Sequence, residues 1–232
     1  MDKVPGYEGM GMEQNSERIR ISVANIVQAI RVEGSDKRYY VGILNPTGWS
    51  TGKRKFQPLG GGAEVTENAK KKLEDLGAIF SEGTDARFTI PKDQFADVYG
   101  KFSNKDNELF ELDILRELRE ELCGQELVNM PAILQEEDVD KIGVSYVGAT
   151  SQIPVGQKAD TAERKSVFQT RRLFHMFELV VPQEIFDKME QSEALHFYSP
   201  EEVELVRSSG VDAHIETNDG ATIANNTIID QS

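Results

Sequence analysis

From Arg18 onward apolar residues first alternate with polar ones, at Ile19, Ile21 and Val23, and then run almost unbroken through NIVQAIRV. Alternation gives a strand one apolar face, whereas a continuous apolar run needs cover on both faces. The stretch therefore reads as a strand that becomes buried on both sides along its length. Such a strand needs layers packed over it, and the segments downstream supply both strands and helices. A second strand, RYYVGILN, follows a turn at Gly34, Ser35 and Asp36. The next stretch, NPTGWSTGKRKFQPLGGGAEV, is punctuated by Pro and Gly and ends in Gly60, Gly61 and Gly62. Successive glycines cost backbone entropy, so a tight turn or the close approach of another group is the natural reading.

After Thr66 the character changes. ENAKKKLEDLG reads as a short helix ending at Gly77, DARFTI as a strand, and PKDQFADVYGKF as a helix opened by Pro91. Residues 66–107 thus read as a small inserted α+β module. ELFELDILRELREEL reads as a charged helix and IGVSYVGAT as a strand, while 151–167 lacks periodicity and reads as an exposed loop. RRLFHMFELVV is a long strand, PQEIFDKMEQS a helix, ALHFYS a short strand and PEEVELVRS a final helix. The expected layout is a flexible lead-in over 1–16, one domain over 17–207 that carries the module, and a polar tail over 208–232. That tail is expected to be mobile or to order only against a partner.

Composition narrows the partners. Against 40 Asp plus Glu there are 26 Lys plus Arg, and the net charge of −14 argues against direct binding to a nucleic-acid duplex, which depends on cationic neutralisation of phosphates. An anionic ligand would need a local remedy such as a bound metal. No apolar run approaches the roughly 18 residues of a membrane span. A single cysteine, Cys123, gives no disulfide framework, and the opening MDKVPGYEGMGMEQNS has no apolar signal core. A cytoplasmic protein is expected, with a homodimer left open.

The chemistry is concentrated in Arg116-Glu117-Leu118-Arg119-Glu120-Glu121. At about 100° per residue, Glu117, Glu120 and Glu121 fall within an arc of roughly 100°, with Leu115, Leu118 and Leu122 on the other side. Three neighbouring carboxylates repel one another unless a positive group lies among them, and a hard divalent cation with oxygen ligands is the usual remedy. The bland alternative is a solvated acidic helix face.

Arg116, Glu117, an aliphatic residue, a free position and two further Glu resemble the core of the Nudix hydrolase signature. Glu108 stands before Arg116 at the motif spacing. The glycine that opens the motif is replaced by Phe102, but QPLGGGAE resembles the missing turn, with Gly61 at the motif glycine and an insertion of about 40 residues splitting the signature. The closing glycine is displaced by one, from Cys123 to Gly124. The order of elements is similar to that of the Nudix family over about 18–207, and the DARFTIP segment leading into the next helix resembles the SMODS-associated Nudix group of bacterial nucleotide-signalling conflict systems.

The resemblance implies a Nudix-type α/β/α sandwich with a mixed sheet and a small inserted module. It implies Mg²⁺, with Mn²⁺ as an alternative, held by Glu117, Glu120, Glu121 and the Gly61 carbonyl, while Glu108 and Arg116 support the motif. The implied ligand is a nucleotide-type small molecule: a nucleoside diphosphate linked to another moiety, which a hydrolase would cleave and a non-catalytic sensor would only bind. A general base would come from a distant loop, where Glu163 and Asp160 are the candidates, each also readable as a solvated charge. Gly60, Gly62 and Trp49 are candidate substrate contacts, and Phe56, Tyr39 and Tyr40 read mainly as core aromatics. His175 and His196, set among apolar residues, read as structural, and Cys123 as a small buried residue.

Overall fold

The computed structural model describes residues 18–46, 52, 54–80, 86–104, 109–124, 131–152, 169–208, 214–216 and 222–224. Its contacts divide the chain into two compact units. The first takes Met1–Ala24, Gly62–Leu112 and Gly148–His175; the second takes Asn25–Gly61, Asp113–Val147 and Met176–Ser232.

In the first unit the start of β1 (Arg18–Val32) pairs antiparallel with β7 (Arg87–Pro91), placing Ile19 opposite Ile90 and Ile21 opposite Phe88. β6 (Ile79–Phe80) continues the sheet beyond β7. Helix α1 (Glu67–Glu74) begins where the Thr66 hydroxyl accepts the Ala69 N–H, satisfying one of the first-turn donors. Pro91 closes β7 and does not open a helix directly: a 3₁₀ turn (Lys92–Gln94) intervenes before α2 (Phe95–Phe102). Ile19, Ile21 and Val23, the alternating residues at the start of β1, are buried with Leu73, Phe88, Ile90, Val98 and Phe102. One apolar face per element is what makes these segments assemble.

The second unit holds the later part of β1, whose Ile30 and Arg31 pair with Tyr39 and Arg38 of β2 (Arg38–Tyr39). At the end of β1 the Glu33 N–H donates to the Val181 carbonyl of β9 (Gln169–Val181). RYYVGILN is two strands, not one, because β3 (Val41–Leu44) leaves β2 and joins a separate mixed sheet, in which β10 (Leu195–Phe197), β3, β4 (Lys55–Pro58), β12 (Thr222–Ala224) and β11 (His214–Glu216) follow in that order. β4 (Lys55–Pro58) is antiparallel to β3, and β10 (Leu195–Phe197) flanks β3 on the other side. Also here are α3 (Ile114–Leu122), the short α4 (Glu136–Val139), and α5 (Gln183–Glu190), entered through Pro182. In α6 (Pro200–Ser208) the Ser199 hydroxyl accepts the Glu202 N–H while the Glu202 carboxylate accepts the Ser199 N–H, a capping box. β5 (Gly60–Gly62) pairs with β1, and β8 (Gly143–Gln152) and β9 each run from one unit into the other.

Two further sequence expectations need correction. The charged helix starts at Ile114, not near Glu108, because Leu109 and Phe110 are buried in the first unit's core and Asp113 caps the helix that follows. The polar tail contains ordered strands: β11 (His214–Glu216) pairs with β12 (Thr222–Ala224), and β12 lies parallel to β4 with Ile223 opposite Phe56. Backbone hydrogen bonding to an available sheet edge orders these short strands, which the composition of the tail does not reveal.

Candidate functional site

Helix α3 begins where the Asp113 carboxylate accepts the N–H groups of Leu115 and Arg116, at 3.0 and 3.3 Å. Its buried residues are Ile114, Glu117, Leu118, Glu121 and Leu122. Their spacing, i, i+3, i+4, i+7 and i+8, is that of a core-facing stripe, yet two of the five are carboxylates. Glu117 is 4 % and Glu121 8 % exposed, whereas Glu120 stands at the exposed edge. The expected division into a carboxylate side and a leucine side is therefore corrected: Leu118 and Leu122 share the buried stripe with Glu117 and Glu121, because the helix rotates its apolar residues into the core, while Glu120 stays exposed. A merely solvated acidic face does not bury its charges in this way.

The buried carboxylates meet the glycine turn. The Gly60 N–H donates to Glu121 Oε2 at 2.7 Å. Gly60 has φ +117, open essentially to glycine, and a Cβ there would collide with the Asn25 carbonyl oxygen. A Cβ on Gly61 would collide with the Glu117 carboxylate, so the missing side chain lets that carboxylate lie against the backbone. The turn is held to β1 by the Val27 N–H, which donates to the Leu59 carbonyl at 2.9 Å. Gly60, Gly61, Glu117, Glu120 and Glu121 all belong to the second unit, although residues 62–112 separate the turn from the helix in sequence.

Arg116 supplies a positive charge here. Its guanidinium bonds Glu117 at 2.5 Å and Glu120 at 2.8 Å. Burial pushes the Glu121 carboxyl up to about 8; the charges of Glu117 and Glu120 add to the rise, and hydrogen bonds from Gly60 and the Gln57 side chain oppose it. Among the described residues, no three His, Cys, Asp or Glu side chains are gathered as a finished metal site. The donor set nonetheless suits a hard divalent cation: carboxylate oxygens beside a side-chain-free backbone, with a buried carboxyl that resists ionising for want of a compensating charge.

The remaining sequence candidates are as follows. Glu108, Trp49, Asp160 and Glu163 fall outside the described residues. Gly62 belongs to the first unit. Cys123 is half-buried at the C-cap of α3, not fully buried, and burial raises its thiol pKa. His175, in the first unit, stacks on Phe102 with ring centroids 4.1 Å apart, and burial lowers its pKa to about 4. His196 lies against Phe56 and Tyr198, with Nε2 3.1 Å from the Glu202 carboxylate. Tyr39 packs on Phe186, and the Tyr40 hydroxyl accepts from Arg207. Gln57 was not singled out in sequence, where its one signal is proximity to the glycine turn.

No helix among the described residues is long and apolar enough to cross a membrane. Comparison with curated proteins and with solved structures finds no match. The family model of the SMODS-associated NUDIX domain, however, matches residues 18–228. The match takes in the glycine turn, the residues that split it from the acidic helix, and the helix itself; the chain belongs to the SMODS-associated NUDIX domain family, with its α/β fold.

Proposed function

We propose that the protein is a divalent-cation-dependent pyrophosphohydrolase. Its substrate class is a nucleoside diphosphate linked to another moiety, and its products are a nucleoside monophosphate and a phosphorylated remainder. The supporting observation is the burial of Glu117 and Glu121 against the Gly60–Gly61 backbone. Arg116 compensates Glu117, but burying the Glu121 carboxylate beside it is costly unless a further cation is part of the working state. Glu117, Glu120, Glu121 and the Gly61 carbonyl would hold Mg²⁺, with Mn²⁺ as an alternative. When bound, the cation neutralises the diphosphate, polarises phosphoryl oxygens and lowers the pKa of the attacking water.

The chain's own groups have separable tasks. Gly60 fixes one oxygen of Glu121 through its N–H. Glu121 retains a proton near neutrality until a positive charge replaces it. Arg116 neutralises Glu117 and Glu120 and ties one turn of α3 together. One observation favours a second reading, a nucleotide sensor that does not turn its ligand over: the Arg116 guanidinium already supplies two of the three carboxylates with a cation.

The deciding experiment incubates the full chain with Mg²⁺ or Mn²⁺ and a panel of nucleoside diphosphate derivatives, measuring released monophosphate beside direct ligand binding. Release that disappears in Glu121→Gln supports the hydrolase. Tight binding without release by the wild type, unchanged in Glu121→Gln, overturns it in favour of the sensor.

A further inference from the structure

The Glu121 carboxylate is held from two points on one short segment. Gly60, in β5, donates its N–H to Oε2, and Gln57, in β4, contributes a side-chain hydrogen bond. The bond favours the ionised carboxylate, which an N–H donor does and an amide oxygen does not, so the amide nitrogen of Gln57 is the atom that faces Glu121. This leaves the amide oxygen pointing away, and that oxygen accepts the Asn45 Nδ2–H at 2.5 Å. Asn45 is anchored in turn, because its backbone N–H donates to the Lys55 carbonyl at 2.7 Å where the β3–β4 hairpin opens. Within that hairpin Gln57 sits opposite Ile43, so its position along the strand is fixed by sheet register.

We propose that Gln57 and Asn45 are positioning residues for the metal ligand Glu121: Asn45 fixes the orientation of the Gln57 amide, and Gln57 fixes the Glu121 carboxylate for the cation. The proposal rests on the metal-binding reading given above and extends it two side chains outward. The physical reason lies in the amide's asymmetry. Turned by half a rotation, Gln57 would set its oxygen against a carboxylate that is ionised when a cation is bound, and its NH₂ against the NH₂ of Asn45, making two repulsive contacts from two attractive ones in the cation-bound state. Outer partners of this kind orient a metal's ligands, and their loss commonly lowers affinity tenfold to a hundredfold.

Asn45→Asp is the sharpest probe, because it keeps size and shape but exchanges the donor for an acceptor. It should draw the Gln57 NH₂ toward itself and turn the amide oxygen onto Glu121. Titrating the full-length protein with Mg²⁺ and with Mn²⁺ alone, by calorimetry, should show affinity reduced about tenfold or more in Asn45→Asp and similarly in Gln57→Leu. The double variant should be no weaker than Gln57→Leu, since Asn45 acts only through Gln57. Thermal unfolding without metal separates lost stability from lost positioning, because a purely structural role shifts the midpoint and leaves metal affinity unchanged. Wild-type affinity in Asn45→Asp, or additive losses in the double variant, overturns the proposal. If the wild type itself binds neither cation, the metal-binding reading falls and this proposal with it, an outcome plainly distinct from a wild type that binds and variants that bind equally.

Discussion

Glu121 makes stability depend on pH in a direction opposite to that of an ordinary ion-paired carboxylate. Its carboxyl is raised from the usual 4.5 to about 8, chiefly by burial, so the folded chain holds a proton that the unfolded chain releases. The contribution to stability is therefore complete below pH 4.5 and is lost progressively as pH rises toward 8. Between about pH 6.5 and about pH 8.5, linkage at ~1.4 kcal/mol per unit, tapering as the folded group ionises, gives a loss of about 2 kcal/mol. Glu121→Gln keeps the size and cannot ionise, so its stability should lack this component. The assay is urea unfolding of both proteins across that range with a chelator present, reading the difference between them so that other titrating groups cancel. Added Mg²⁺ should flatten the wild-type loss, because a cation favours the ionised carboxylate in the folded state. Parallel pH profiles for wild type and Glu121→Gln would refute the claim that this carboxyl is buried without enough compensating charge.

Four further outcomes follow from named contacts. Glu120→Gln, at an exposed position, should leave unfolding midpoints nearly unchanged while lowering nucleotide turnover by about a hundredfold or more, measured as released monophosphate. Gly61→Ala should displace the Glu117 carboxylate, the far end of a flexible side chain, so Mg²⁺ binding measured by calorimetry should weaken while chemical unfolding shifts far less. His175, lowered to about 4 from 6.5, contributes stability that is present above pH 6.5 and lost as pH falls toward 4, about 3 kcal/mol in all, so acid unfolding of His175→Gln should lack that component. Replacing residues 66–107 by a short turn should destabilise the chain strongly, because Ile19, Ile21 and Leu173 would lose the cover of Leu73, Phe88, Val98 and Phe102; circular dichroism and unfolding curves unchanged by the replacement would contradict this.

Much of the fold was legible because it rests on local periodicity. The alternation of Ile19, Ile21 and Val23 followed by NIVQAIRV corresponds to β1, and RRLFHMFELVV and PEEVELVRS lie within β9 and α6. What was missed depends on distant partners. The ends of β2 and β3 are set by which sheet each joins, and the start of α3 by the burial of Leu109 and Phe110 in another unit. Strand β12 is ordered by the backbone edge of β4, which so short a stretch of sequence does not announce.

The candidate site divides along the same line. Helical spacing gathers Glu117, Glu120 and Glu121 because i, i+3 and i+4 are neighbours on any helix. Spacing could not tell which two would be buried, since that depends on how α3 is rotated, and the rotation follows Ile114, Leu118 and Leu122 into the core. The split signature survives because its two halves belong to one compact unit. The boundary between Gly61 and Gly62 and the boundary between Leu112 and Asp113 send the intervening residues to one unit, and leave the turn and the acidic helix together in the other. An insertion between two such points need not disturb the hydrogen bond from Gly60 to Glu121, because both partners are fixed by elements of their own unit: the turn by β1 through Val27 and Leu59, and the helix by its apolar stripe. Continuity in sequence is therefore not what the motif requires. It requires a backbone without side chains at Gly61, a left-handed residue at Gly60, and a helix whose core-facing stripe presents carboxylates at its fourth and eighth positions.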